Sequence, residues 1–296
     1  CGTGALLYPF AMKMYAFLLD EHNGVLENAN KDIEYFIYNN LYGVDIQREP
    51  IKILEYALKD FLMSIGRNVL HQNPFRLFHG NAITDADLFG ERITCKFDIV
   101  LGNPPYLGEK GNKEVFENMK ASEFGRKYYE GKMDLFYYFI YRGNDVLKKN
   151  GILTYITTNY FITADGGKKL RAYIRKEMKI RDLINFNNIS VFPSVKSHNM
   201  IYTLTRKKEG MDLTHVRSYI GSGKLDGEHH LNDVTRFNEY SIPHPQIYRD
   251  DGQIKIFEHA AYYHLIEKIL HQSKNKIGDV AMVKQGIVSG CDKVTA

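Results

Sequence analysis

Two periodicities alternate along the chain. From Leu7 the apolar residues Leu7, Phe10, Met14, Phe17 and Leu18 recur at helical spacing. Pro9 confines that pattern to a helix whose first turns contain it. Residues 41–46 read as a short buried strand ending in an acid, Asp45. Pro50 marks a helix start, and Ile51, Leu54, Leu58, Phe61 and Leu62 give that helix an apolar stripe. Residues 75–78 predict a second strand, ending at Gly80-Asn81, and residues 97–101 a third, ending at Gly102-Asn103. A helix over 134–149 is predicted to stop at Asn150-Gly151 and feed a strand over 152–157. A helix over 168–178 and strands near 180–185 and 200–205 follow.

Strands alternating with helices predict an α/β fold with a doubly wound, mostly parallel sheet. In such folds ligands bind beyond the carboxyl ends of the strands, where the polar and glycine-rich punctuation of this chain falls. From Lys207 the texture changes: residues 209–275 are polar, rich in histidine and less periodic, with one helix predicted over 257–271. Something new starts near Lys276. The expected organisation is one domain over 1–208, a connecting region over 209–275 and the start of a further domain over 276–296. The chain opens on Cys1 without an initiator Met and is expected to be a fragment lacking its extreme N-terminus.

Composition narrows the class. A length of 296 residues, 44% hydrophobic and 25% charged, is ordinary for a globular protein and excludes a disordered or collagen-like chain. No apolar run approaches the roughly 18–20 residues of a membrane span, and no segment has the layout of a signal peptide, so no membrane partner is expected. The three cysteines, Cys1, Cys95 and Cys291, are odd in number and far apart. They suit neither a disulfide framework nor a paired zinc site, which fits a reducing, cytoplasmic setting and no metal. The net charge of +4 is compatible with a nucleic-acid partner but does not by itself indicate one.

Chemistry must come from motifs. Gly2-Thr3-Gly4 before a helix is a partial nucleotide-loop pattern, since glycine lets the backbone turn tightly and approach a ligand. Asp45 at a strand end can accept hydrogen bonds from a ribose diol, or serve as a charge at the start of the helix at Pro50. It lies 41 positions beyond Gly4, against about 20 in a dinucleotide fold, and the insert over 23–32 has to account for that. Asn103-Pro104-Pro105-Tyr106 is the strong signal. Two prolines after an apolar strand fix φ twice and remove two donors, so the backbone leaves the sheet stiffly with free carbonyls. An Asn and a Pro carbonyl aimed together clamp an NH2 group, and the Tyr offers a face to a planar ring. Gly221-Ser222-Gly223-Lys224 lacks the upstream glycine and the Ser/Thr of a phosphate loop and reads as a turn. His229-His230, His244, His259, His264 and His271 have no repeated metal spacing. The basic run Lys168, Lys169, Arg171, Arg175, Lys176, Lys179, Arg181 reads as a solvated helix face, with phosphate contact as the alternative.

Taken in order, Cys1-Gly2-Thr3-Gly4, Gly43-Val44-Asp45, Gly80-Asn81 and Asn103-Pro104-Pro105-Tyr106 resemble the motifs of S-adenosylmethionine-dependent amino-methyltransferases, a class I, Rossmann-like fold. Asp134-Leu135-Phe136, residues 151–156 and Val191-Phe192-Pro193-Ser194 resemble one branch, the gamma-class DNA adenine-N6 methyltransferases of restriction–modification systems. The tail, Ile277-Gly278-Asp279-Val280 and residues 284–290, resembles the opening of their DNA target-recognition domain. The resemblance implies S-adenosyl-L-methionine as cofactor, with Gly2 and Gly4 along its methionine part, Asp45 on its ribose, Ile46 against its adenine and Asn81, where relatives often have Asp, bonded to that adenine. It implies that Asn103 and Pro104, with Pro105 stiffening the turn, hold the amine of a flipped adenine, that Tyr106 stacks on the base and that Phe192 contacts its other side. The implied partner is double-stranded DNA, with a nuclease in the same chain or on a separate subunit. Asn-Pro-Pro-Tyr also serves methyltransferases acting on a protein glutamine or an RNA base, and a non-catalytic DNA-recognition subunit could keep the same fold.

Overall fold

The computed structural model describes residues 1–69, 75–85, 97–187, 189, 191–192, 198–206, 213–220, 233–257, 259–275 and 277–282. Two helices, α1 (Leu7–Glu21) and α2 (Leu26–Asn39), fill the stretch between the N-terminal glycines and the first strand. The long spacing before Asp45 is thus a helical hairpin, with Ala11, Ile33 and Ile37 turned inward to a fully buried core. Strand β1 (Tyr42–Asp45), helix α3 (Arg48–Ser64) and strand β2 (Arg76–His79) complete a βαβ unit. β1 and β2 pair in parallel, Asp45 opposite His79. The predicted stripe of α3 is the buried one: Ile51, Leu54, Leu58, Phe61 and Leu62. Burying such side chains is worth roughly 1.5–3 kcal/mol each, which is what holds this short two-stranded unit.

The second part is built on β3 (Phe97–Gly102), followed by α4 (Lys113–Ala121), α5 (Glu123–Tyr128), α6 (Phe136–Val146), β4 (Leu147–Thr158), α7 (Lys168–Glu177), β5 (Met178–Asn185) and β6 (Asn199–Arg206). Strands β7 (Leu213–Tyr219) and β8 (Phe237–Pro243) extend the sheet, whose order is β3-β4-β6-β5-β7-β8. β3 and β4 are parallel, β6 runs against both β4 and β5, β5 and β7 are parallel, and β8 runs against β7. Four strands of the six, β3, β4, β5 and β7, therefore point the same way, as the mostly parallel α/β reading expects. The starts of β1 and β3 meet through the rings of Tyr42 and Phe97, 5.0 Å apart. Ile83, just past β2, is buried in the core of the larger sheet.

Three expectations change. The helix before β4 ends at Val146, not at Asn150-Gly151, and residues 147–150 are already extended. Leu147 is fully buried and pairs with Phe97, whereas Ile99 pairs with Ile152, so the Asn-Gly pair lies in a bulge of β4. Secondly, Leu213–Tyr219 and Phe237–Pro243 are strands of the main sheet, and Ile247, Tyr248 and Ile254 belong to the main core; the polar texture after Lys207 hides two strands. The helix α8 (Ala260–Gln272) does form, with His259 accepting from the Ala261 amide at 3.0 Å as its cap. Thirdly, the basic run is not simply a solvated face. Arg171 is 4% exposed and donates to the carbonyls of Gly252, Phe161 and Ala164. Lys169 donates to the carbonyls of Lys127 and Tyr129, and Arg175 stacks on Tyr248. Among the described residues no helix is long and apolar enough to cross a membrane, and no group of three or more His, Cys, Asp or Glu could hold a metal ion. The sequence features at 221–224, His229-His230, Pro193-Ser194, Cys95, Cys291 and 284–290 lie outside the described residues.

Candidate active site

Each motif residue falls where a parallel strand ends. Asp45 is the last residue of β1, Asn81 stands two positions past β2, and Asn103 directly follows β3. The N-terminal glycines come to the first of these. The Gly2 amide donates to Asp45 Oδ2 at 2.7 Å, across the whole helical hairpin. Asp45 Oδ1 accepts from the Gln47 amide at 2.9 Å, so the same carboxylate also turns the chain into α3. Burial pushes the Asp45 carboxyl up, bonds from the Gln47 and Gly2 amides draw it down, and it stands below the usual carboxylate range.

The two glycines differ in what they do. Gly4 has φ +96° and a Cβ there would lie 2.5 Å from Leu54 Cδ1, so its backbone seats against α3. Gly2 has φ +57° with open space where its Cβ would be. Of the pair, Gly2 leaves room for a ligand and Gly4 closes the fold. Ile46 beside them is 65% exposed, an apolar side chain available to a flat ring.

Asn81 is engaged locally. Its Oδ1 accepts from the Ile83 amide at 2.9 Å, and its own amide donates to Asp85 Oδ2 at 2.8 Å. The carboxamide oxygen is spent on this turn, which leaves the NH2 group as its outward function, a donor where an Asp could only accept.

Asn103 and Pro105 are exposed, Pro104 is buried and Tyr106 is half-buried. The turn is held from three sides. Tyr106 Oη lies 2.7 Å from Asn103 Oδ1 and 3.2 Å from the Ile156 carbonyl of β4, sharing its one hydrogen between them. The Leu107 amide donates to Asp134 Oδ1 at 3.0 Å, and the Leu135 amide donates back to the Leu107 carbonyl at 2.9 Å. Burial pushes the Tyr106 hydroxyl up to about 12, against an opposing hydrogen bond from Asn199 and with the Asp134 charge adding to the rise. The ring is neutral at physiological pH. Burial likewise raises the Asp134 carboxyl, despite its bonds from the Leu107, Phe136 and Leu135 amides.

Asp134 is the residue that sequence reasoning left without a role. Asp134-Leu135-Phe136 was recognisable as a motif, but only the tertiary pairing of Gly108 with Asp134 shows that it anchors the chain leaving Tyr106. Phe192 is half-buried midway between β5 and β6.

A family model described as the Eco57I restriction-modification methylase matches residues 39–192, more than half of the chain. The chain belongs to this family. The matched segment runs from Asn39, the last residue of α2, to Phe192; it contains Asp45, Asn81 and the Asn103–Tyr106 turn. Among curated relatives, the Type II restriction enzyme and methyltransferase RM.Eco57I of Escherichia coli is 27% identical over 189 residues, 56% of this chain and 19% of that protein. The Type II methyltransferase M.HindII of Haemophilus influenzae is 25% identical over 67% of this chain and 40% of its own length. M.BstVI of Geobacillus stearothermophilus is 30% identical over 57% of this chain and 30% of its own length. The chain thus spans well under half of each of these relatives. In fold it is similar to a nuclease-deletion mutant of the Type ISP restriction-modification enzyme LlaGI (TM-score 0.58, 14% identity, 89% of this chain and 28% of that one). It is also similar to the M protein of the Type I restriction enzyme EcoKI (TM-score 0.50, 15% identity, 73% of this chain and 42% of that one).

Proposed function

We propose that the chain is the catalytic part of a site-specific DNA methyltransferase that transfers a methyl group from S-adenosyl-L-methionine to N6 of an adenine flipped out of the duplex. The observation that carries the reading is the rigid turn Asn103-Pro104-Pro105-Tyr106, exposed at Asn103 and fixed behind by β4 and Asp134. The residues toward the cofactor fit it. Gly2 leaves open space, Asp45 keeps acceptor capacity for a ribose diol, Ile46 presents an apolar face and Asn81 a donor. Gly4 shapes the same loop. When bound, the cofactor supplies an activated methyl on a positively charged sulfur, which is already a good leaving group.

The chain's own residues then have the following work. Adenine N6 is buried in a base pair, so the base must leave the stack. Tyr106 receives its face and Phe192 its other side, and stacking returns about 1–3 kcal/mol per base. Asn103 Oδ1 and the Pro104 carbonyl accept the two amine hydrogens, which leaves the nitrogen electron pair directed at the methyl. As N6 gains the methyl it sheds one proton, toward Asn103 and on to water. Positioning and fixed dipoles do the catalysis. The neutral Tyr106 keeps charge off the stacked base. Double-stranded DNA is the partner, with a nuclease on the same chain or a separate subunit, and residues 276–296 begin the target-recognition domain.

The test supplies the full chain with methyl-labelled cofactor and, side by side, duplex DNA, RNA and a glutamine-bearing protein. Label is expected in N6-methyladenine of the DNA, and Tyr106→Ala is expected to lose transfer while keeping cofactor affinity. Bound cofactor with no label on any DNA overturns the reading. Label on RNA or glutamine instead replaces the substrate.

A further inference from the structure

We infer that Tyr160, mounted against His198, is a second base-stacking contact for the DNA, taking a nucleobase next to the flipped one. The inference rests on the DNA reading above and names residues that reading does not use. Tyr160 stands two positions beyond the end of β4, at the same end of the sheet as the Asn103–Tyr106 turn, because β3 and β4 are parallel. The two places are close in the fold. Tyr106 Oη reaches the Ile156 carbonyl, four residues before Tyr160, and Asn199, whose carboxamide lies beside the Tyr106 hydroxyl, follows His198 directly.

Tyr160 is 54% exposed, yet its mount is rigid. Phe161 and Ile162 after it are buried, and the Asn159 amide before it donates to the His198 carbonyl at 2.8 Å. The Tyr160 and His198 rings meet edge to face at 6.0 Å. His198 is itself fixed: its Nδ1 lies 2.9 Å from the Asn187 carbonyl. A carbonyl can only accept, so Nδ1 carries a proton, and in the neutral ring Nε2 is then the acceptor. Asn187 holds a left-handed backbone, φ +52°, costly for a residue with a side chain. It is kept there by bonds from Asn185 at 2.6 Å and to the Tyr219 carbonyl at 2.7 Å.

An exposed aromatic ring on a braced mount, with a single acceptor beside it, suits a nucleobase. Every base has a face to stack, and an exocyclic amine or ring N–H can donate to Nε2. Extruding one base deprives its neighbours of a stacking partner, and a ring at the rim of the site replaces it.

The test measures the full chain, as wild type, Tyr160→Ala, Tyr160→Phe and His198→Ala, for affinity to duplex DNA that the wild type methylates and for affinity to S-adenosylmethionine. Stacking of 1–3 kcal/mol converts to a loss of about 5- to 150-fold in DNA affinity for Tyr160→Ala. Tyr160→Phe is expected to bind as wild type, His198→Ala to weaken DNA binding by less, and cofactor affinity to stay unchanged in all three. Wild-type DNA affinity in Tyr160→Ala overturns the inference. So does an equal loss in Tyr160→Phe, or a parallel fall in cofactor affinity, which marks a structural role or a covering protein segment. If the wild type binds duplex DNA without methylating it, the function reading fails, and the Tyr160 comparison on the bound duplex still decides the stacking contact.

Discussion

The two halves of the candidate site are built differently. The turn from Asn103 to Tyr106 is braced from behind by residues far away in sequence: Ile156 on β4 and Asp134 before α6. The edge formed by Gly2, Asp45 and Ile46 is open, with one carboxylate tying the glycine loop to β1 and an isoleucine left 65% exposed. The turn proposed to hold the amine is preorganised, as befits groups that must meet a developing charge without reorganising. The edge proposed for the cofactor is open. The lesson is that rigidity here follows tertiary bonding rather than the two prolines alone.

The largest expected effect comes from splitting the halves. Asn103→Ala should lower kcat by about 10²–10³-fold, the usual cost of removing one preorganised polar contact to the reacting group, with cofactor affinity retained. Asp45→Ala should instead raise the cofactor dissociation constant. Single-turnover methylation and cofactor titration separate the two, and the comparison breaks if both variants lose both properties equally. A smaller effect sharpens the difference between the glycines. Gly4→Ala combines a left-handed φ with a Cβ placed 2.5 Å from Leu54, and should destabilise by roughly 2–4 kcal/mol in urea unfolding. Gly2→Ala meets no atom and should cost about 1 kcal/mol or less, while weakening cofactor binding. Equal losses of stability in the two variants would erase the distinction.

The smallest effect is in pH dependence, where the two carboxylates have opposite signs. Asp45 is held below 3.8 in the folded chain. It favours folding above its unfolded pKa, and that contribution is lost as pH falls through the depressed value. Asp134 is raised above 3.8. The folded chain holds its proton more tightly, so its contribution is present below the unfolded pKa and is lost as pH rises through the raised value. Asp45→Asn should therefore flatten the loss of stability on acidification. Asp134→Asn, which keeps the Oδ1 acceptor for Leu107, should remove the loss on the way up toward neutral pH. Chemical denaturation of both variants from pH 3 to pH 7 checks the signs, and matching slopes would sink the assignment.

Local pattern was enough for what depends on neighbours in sequence. The apolar stripe of α3, the acid at the end of β1 and the Asn-Pro-Pro-Tyr turn after β3 are all consequences of side-chain periodicity and proline stereochemistry, and all three stand where the pattern puts them. The resemblance to restriction–modification methylases read from the motifs between Gly43 and Phe192 agrees with the family match over 39–192. Where the pattern misled, a distant residue had the deciding contact. Asn150-Gly151 has the composition of a helix stop, but β3 draws Leu147 into the sheet four residues earlier. The basic run 168–181 has the composition of a solvated face, but Arg171 finds three backbone carbonyls, one of them at Gly252. The polar segment after Lys207 supplies β7 and β8 because strands at the side of a sheet need only alternate buried positions, such as Thr214, Val216 and Ser218, and small polar side chains can fill them.

By itself, then, the sequence determined the apolar stripe of α3, the acid that ends β1, the turn that follows β3 and the chemistry that those residues can offer, since propensity and backbone stereochemistry act over a few positions. Only the tertiary structure decided which of the two glycines is free toward a ligand, that Asp134 anchors the chain beyond Tyr106, and that Tyr160 and His198 meet at the rim. Those outcomes depend on which strands lie side by side, and strand neighbours are chosen by burial summed over the whole core, which no local window contains.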